Sequence, residues 1–400
     1  MAFPLPEKPS IAVLPFDNLG GDPEQDYFTD GMTEDLITDL STVAGLFVIA
    51  RTSSFAYKDK GVDVRDIAQD LGVRYVLEGS VRRAGDRVRI NAQLIDATTG
   101  GHLWAERYDG ALTDVFALQD QVTRQIVAAL SVTLTPDEQK GLAQPAKVDP
   151  EAYDLVLQAQ AQVMRFSRES NAEARDLYER AVALDASFAR AHAGLALTHV
   201  NDFDFGWTKR VEEAEQMALR HARAALALDP SDPQVHFALG MIHSAQRQMQ
   251  EAIEDTRRAV ALDPNYADGY AAMGSYLASA GEPEAGLEAI RKAMRLSPRH
   301  GFMYLWVLSK VYFVMGRYDE SIVALDDALE RNPAYVSARL LRIAIHGLLD
   351  RADEAQWDIE EVLTARPNFS ITEEEKLINY QRSEDGERYV TGLRKAGLPE

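Results

Sequence analysis

The chain has 400 residues, no cysteine and a formal net charge of −21 at pH 7. Disulfides and thiolate metal centres are therefore excluded, and a generic nucleic-acid surface is disfavoured because phosphate binding needs a basic stripe. The length suggests roughly two or three domains of about 100–200 residues each, and a 46% apolar content suits folded structure throughout. The most apolar run, 303–315, contains Lys310 and is too short to cross a bilayer, which takes about 20 apolar residues. A reducing compartment is compatible with the missing cysteine. A cytoplasmic chain is expected, with neither membrane nor nucleic acid as partner.

Residues 1–9 carry prolines where a signal peptide needs an apolar helix. They read as a linker, which suggests that something precedes it in a longer parent protein. Ser10–Phe16 is a short apolar run before a loop and reads as a buried strand. From Tyr27 to Val43 the residues Phe28, Met32, Leu36, Ile37, Leu40 and Val43 recur at helical spacing. Leu46–Ala50 is a second strand, and Val64–Leu71 an amphipathic helix closed by Gly72. Three strands follow. Arg74–Arg83 contains Gly79, expected to mark a bend. Arg87–Ala97 alternates, with Val88, Ile90, Ala92 and Leu94 on one face, and His102–Tyr108 completes an antiparallel meander with one wet face. Thr113–Leu134 is expected as a long closing helix. The order βαβαβββα predicts an α+β domain over 10–134.

Several stretches here resemble the TolB-type N-terminal domain of bacterial signalling proteins. They are Ile11–Asp17, Gly31–Ile37, Tyr75–Arg83, Ala92–Asp96 and His102–Tyr108. The resemblance implies that tetratricopeptide repeats follow. It also implies a setting downstream of a class III adenylyl or guanylyl cyclase domain, or of a winged-helix DNA-binding domain, neither of which lies in these 400 residues.

Residues 135–152 are polar with three prolines and read as a linker. Beyond them a repeat takes over. Ala-Leu-Ala-Leu-Asp-Pro ends at Pro230, Ala-Val-Ala-Leu-Asp-Pro at Pro264 and Ala-Met-Arg-Leu-Ser-Pro at Pro298, each 34 residues after the last. Related endings fall at Ala186, Pro333 and Pro367, the first of them separated from Pro230 by a longer interval that holds an insert near 201–209. Six units result, at about 155–186, 187–230, 231–264, 265–298, 299–333 and 334–367. That period, with Gly240 and Gly274 at close helix approaches and prolines ending the hairpins, resembles the tetratricopeptide repeat. The fold expected is thus an α+β N-terminal domain followed by an all-α tetratricopeptide solenoid, six hairpins over 153–367. Residues 368–400 are read as capping helices, at 371–382 and 389–396.

No phosphate loop, dinucleotide fingerprint or hydrolase motif occurs. No catalytic, cofactor or metal residues are assigned, and no cofactor is expected. The acidic group Asp17, Asp22, Asp26, Asp30, Glu34 and Asp35 lacks calcium-loop spacing and suits a solvated helix start. His192, His199, His236 and His243 sit seven apart in pairs on successive first helices, where packing against the partner helix outweighs metal binding. Arg82, Arg83, Arg87 and Arg89 read as the wet face of an edge hairpin, a guard against edge pairing. The repeat resemblance implies a concave groove lined by first helices. Positions expected there include Arg190, Asn201, Gln234, Phe237, Met241, Asp268, Ser275, Met303, Trp306, Lys310 and Phe313. Ala193 and Leu197 fall where a chaperone-tail clamp would need polar residues, so that ligand is not expected. The aromatic insert Asp202–Trp207 is either a partner-binding tip or a plug folded onto the stack, with the plug favoured. The reading is a non-catalytic protein–protein interaction module with a protein or peptide partner. Its alternatives are the regulatory C-terminal part of an adenylate cyclase and the effector part of a transcription regulator.

Overall fold

The computed structural model describes residues 3–141 and 148–400. They divide into two compact units. The first holds residues up to 242 with the short returns 258–266 and 296–298, and the second holds the remainder.

The first unit opens with a sheet. Strands β1 (Ser10–Val13), β2 (Asp17–Asn18), β3 (Phe47–Val48), β4 (Tyr75–Ala84), β5 (Arg87–Asp96) and β6 (Gly101–Ala111) are ordered β3-β1-β4-β5-β6, and β2 also pairs with β4. β1 runs parallel to β3 and β4, while β4, β5 and β6 form the antiparallel meander. The alternation in β5 is realised: Val88, Ile90, Ala92 and Leu94 are buried and Arg87 and Arg89 exposed. Helices α1 (Asp26–Ser41), α2 (Arg51–Phe55), α3 (Val64–Leu71) and α4 (Val115–Ala129) complete this part. α3 ends at Gly72 in the left-handed conformation, as the glycine predicts.

Three expectations change. Gly79 marks no bend, because it sits within continuous β4 pairing and lets the Phe16 ring close over the strand. α4 stops at Ala129, since Ser131 adopts a positive φ that breaks the helix. Arg87 and Arg89 of β5 do not lie at an edge, because β6 covers that strand, whereas Arg82 and Arg83 of β4 lie beyond its last pairing with β2 at Val81.

Helices then follow through both units, among the described residues a short single one and then six consecutive pairs. They are α5 (Pro136–Gly141), α6 (Pro150–Val163), α7 (Arg168–Leu184), α8 (Ala189–Asp204), α9 (Val211–Leu228), α10 (Pro233–Ala245), α11 (Met249–Leu262), α12 (Ala267–Ser279), α13 (Pro283–Leu296), α14 (Phe302–Val314), α15 (Tyr318–Arg331), α16 (Val336–Leu348) and α17 (Ala352–Ala365). The stretch read as a linker thus contains α5, and α6 begins inside it. Asp149 caps α6 by accepting from Glu151 and Ala152, and Pro150 opens it at a position that needs no donor.

No core boundary falls at that stretch. One apolar cluster runs from Ile11, Leu36, Ile90 and Ile126 through Tyr153, Val156 and Leu157 to Tyr178 and Leu195. The sheet domain and the first helices of the repeat share one interior. The open edge of β3 is closed within the same unit by two repeat turns. Asn265 Oδ1 accepts from Val48 N at 3.1 Å, Asn265 Nδ2 donates to Ser41 O at 2.7 Å, and Ala50 N donates to Leu296 O at 2.9 Å. A strand edge left in water would offer unpaired backbone groups to another chain.

In the second unit, helices α12 to α17 are followed by α18 (Ile371–Glu375) and α19 (Ser383–Ala396). The helix expected over 371–382 stops early. Lys376 N and Leu377 N still bond to the last turn of α18, but Lys376 O accepts from the Arg247 guanidinium and Gln381 N donates to Ser279 O, a competing outlet for those polar groups. The second terminal helix starts at Ser383, six residues ahead of expectation.

Candidate functional site

The eleven residues expected to line one groove are divided between the units. Arg190, Asn201, Gln234, Phe237 and Met241 belong to the first; Asp268, Ser275, Met303, Trp306, Lys310 and Phe313 belong to the second.

In the first unit these side chains mostly serve the interior. Arg190 on α8 reaches Asp35 on α1, Nη2 to Oδ1 2.5 Å. Asp35 Oδ2 also accepts from the Tyr153 hydroxyl at 2.5 Å and from Gln119 Nε2 at 3.0 Å. Burial works against the guanidinium charge, but Asp35, with Tyr153 and Glu34, holds the Arg190 pKa above its ordinary value. Burial pushes Asp39, one turn along α1, up to about 7, with the Asp35 and Asp120 charges adding to the effect. Arg190 is thus a cross-tie between α1 and α8. Asn201 donates to Asn171 Oδ1 at 3.2 Å, Phe237 meets the Tyr266 ring edge-on at 5.4 Å, and Met241 packs beside the cluster of Ala238 and Ile242. Gln234 is half-buried near the start of α10.

Of the histidines, His199 is buried, and His192, His221, His236 and His243 are half-buried. His221 of α9, which the seven-residue spacing did not reveal, lies against both His192 and His199. The His192 and His221 Nδ1 atoms are 3.2 Å apart. Burial pushes His199 and His221 each down to about 4. Among the described residues no group of three or more metal-binding side chains is arranged to hold an ion. The aromatic insert folds back: Phe205 and Trp207 meet the Phe166 ring edge-on, at 4.7 and 5.8 Å. Arg83 of β4 turns in as well, pairing with Asp154 at 2.5 Å over the Phe28 ring. A crevice of about 1040 Å³ opens beside the carboxyl end of β1. Its polar lining is largely self-paired, Lys58 with Asp30, Asn18 with Asp26 and Gln93 with Glu78.

The second unit gathers a denser constellation. Lys310 Nζ donates to Ser275 Oγ at 3.1 Å and lies 5.6 Å from the Trp306 ring centre. Trp306 is half-buried and meets Tyr335 edge-on at 5.9 Å, Met303 is half-buried one turn before it, and Asp268 accepts from the Tyr304 hydroxyl at 2.6 Å. Phe313 is 0% exposed. Tyr318, Tyr380 and Tyr389 surround it, so it is no open groove residue. Two of these three tyrosines come from the terminal segment, whose return no helical periodicity could have signalled.

Comparison with known proteins matches these parts separately. Residues 7–125 match the model of the HilA/YgeH-like transcriptional regulator second domain, and 233–266 and 304–335 match tetratricopeptide repeat models. The second half of the chain is a tetratricopeptide-repeat region. A Rhizobium meliloti (strain 1021) protein, provisionally named adenylate cyclase 3, is 55% identical over 245 residues. The match spans 61% of this chain and 42% of that relative's length. Among solved structures, a thermophilic tetratricopeptide protein of Thermus thermophilus is 20% identical, covering 48% of this chain and 98% of its own, with a TM-score of 0.39. PilF of Pseudomonas aeruginosa is 20% identical over 55% of this chain and 94% of its own, TM-score 0.41. TolB of Acinetobacter baumannii is 19% identical over 32% and 29%, TM-score 0.23.

Proposed function

We propose that this chain is a non-catalytic protein-recognition module of a bacterial signalling protein, working in the cytoplasm, with the first-helix face of its repeats as the binding surface. The carrying observation is the repeat match at 233–266 and 304–335, because stacked hairpins present an extended face suited to a peptide. Trp306 and Lys310 are the residues most suited to bind there, an aromatic and a cation being types that dominate interfaces. The sheet domain is read as TolB-like and serves as a platform that shares its core with the first hairpins.

The parent is read as an adenylate cyclase whose regulatory C-terminal part this is, supported by the 55% identical relative. A second parent, a transcription regulator, is supported by the family match over 7–125. The reading frame of the parent gene separates the two: a cyclase domain with paired metal-binding aspartates, or a basic recognition helix. The 400-residue chain itself is expected to make no cyclic nucleotide from ATP or GTP with magnesium or manganese. For the recognition surface, affinity capture is compared between wild type, Trp306→Ala and Lys310→Glu, with melting measured on each. Loss of the same partner from both variants at unchanged melting temperature supports the surface. Partner retention in both variants overturns it.

A further inference from the structure

Within the second unit, the segment between α18 and α19 runs past the C-terminal end of α10 and then across α12 and α14 in the manner of a bound peptide. The Arg247 guanidinium donates to Lys376 O, and Asn379 Nδ2 donates to Ser244 O at 2.6 Å, both at the end of α10. Gln381 N donates to Ser279 O at 2.8 Å at the end of α12, where the Arg382 side chain lies across Gly281. Between these two, Tyr380 reaches α14, its ring 6.3 Å from Phe313 and 5.6 Å from Lys310 Nζ. Leu377 remains 69% exposed, so the segment is held by backbone bonds, one carboxamide and one aromatic anchor, not by general apolar burial. Those are the means by which a groove holds an extended ligand: main-chain bonds for affinity and a side-chain pocket for choice.

The geometry points to a peptide site on the C-terminal end of α10, α12 and α14 that the chain's own residues 376–382 occupy in cis. Its external ligand is an extended polypeptide with an aromatic residue flanked by carboxamide side chains, as in Asn379-Tyr380-Gln381. The site therefore accepts a partner only by displacing this strap. The terminal helix does not depend on the strap for its place, since α19 packs directly on α16 through the close crossing of Gly347 and Gly392. A tether at both ends gives the strap a high effective concentration, on the order of millimolar. A partner must outcompete that, and an occupied site lowers apparent affinity by the fraction of open molecules.

This deepens the recognition reading and rests on it. The test uses the full chain with residues 377–382 replaced by a six-residue Gly/Ser linker, and a labelled decapeptide spanning 374–383. Saturable binding to the strap-replaced chain, at least about tenfold tighter than to wild type, is the expected result. The same peptide with Tyr380→Ala, and the strap-replaced chain with Lys310→Ala, are both expected to lose binding. Equal binding to wild type overturns the proposal, as does no binding to a strap-replaced chain that keeps its helical circular dichroism. Should strap replacement unfold the protein, the single variant Tyr380→Ala takes its place with the same two outcomes. Peptide binding without capture of any partner leaves self-occupancy standing and removes the recognition role. Capture through Trp306 without peptide binding does the reverse.

Discussion

The place of Arg190 in the repeat predicts a groove residue, and the structure gives that position other work. Its charge is balanced by Asp35 on a different element, so removing one partner strands the other in a largely dry place. Breaking a buried pair in this way costs about 3–5 kcal/mol, and the partial exposure of Arg190 places it near the lower bound. Arg190→Ala should lose roughly 3 kcal/mol in urea unfolding, and pairing Arg190→Met with Asp35→Asn should recover much of it. Equal loss in the single and double variants would show that the pair is not the cause. Asp39 behaves in the opposite sense. Its folded-state pKa, about 7, lies above the ordinary 3.8, so the folded chain holds a proton there that the unfolded chain has released. Its contribution to stability is fullest below 3.8 and is lost as pH rises through 7. Asp39→Asn should therefore raise the melting temperature, and raise it more at about pH 8 than at about pH 5. A gain that is the same at both values would remove the charge explanation.

At the scale of elements, pattern is readable wherever one face of a strand or helix meets a core. β5 shows this through strict alternation, and α3 through its apolar face and Gly72. The 34-residue period places the hairpin turns because each proline is a local event. What pattern cannot supply is where the ends of elements dock. Asn265 in a repeat turn serves β3, and Tyr380 serves α14, and both depend on residues distant in the chain. The apolar spacing of Leu377, Ile378 and Tyr380 is compatible with a helix, but hydrogen bonds offered by the Ser279 carbonyl and the Arg247 guanidinium win locally. Of the proposed surface, Lys310 and Trp306 are legible as first-helix residues, whereas the burial of Phe313 is not. The α16–α19 crossing is the sharpest element-level case. A Cβ on Gly392 would collide with the Ala344 carbonyl, and one on Gly347 with the Gly392 carbonyl. Gly392→Ala should cost about 1–3 kcal/mol through backbone displacement. Near-neutral unfolding of that variant would mean α19 is not seated as described.

For the molecule as a whole, the continuous core from Ile11 to Leu195 forbids treating the sheet and the repeats as beads on a string. With a protease site introduced at 142–147, the cleaved chain should elute as one species until denaturant is added. Residues 148–400 expressed alone should aggregate or melt well below the intact chain, because Tyr153, Val156 and Leu157 lose their cover. A folded, monomeric 148–400 fragment would contradict the shared interior. The block that matches a regulator family ends at 125, inside α4, while the compact unit that contains it continues to 242. Inheritance and folding thus draw their borders in different places. A gene rearrangement that exchanges the N-terminal block at its family boundary must find a second half already shaped to receive it. The joint therefore acts as a compatibility filter on recombination, and viable chimaeras should cross over past α8 far more often than between α4 and α6.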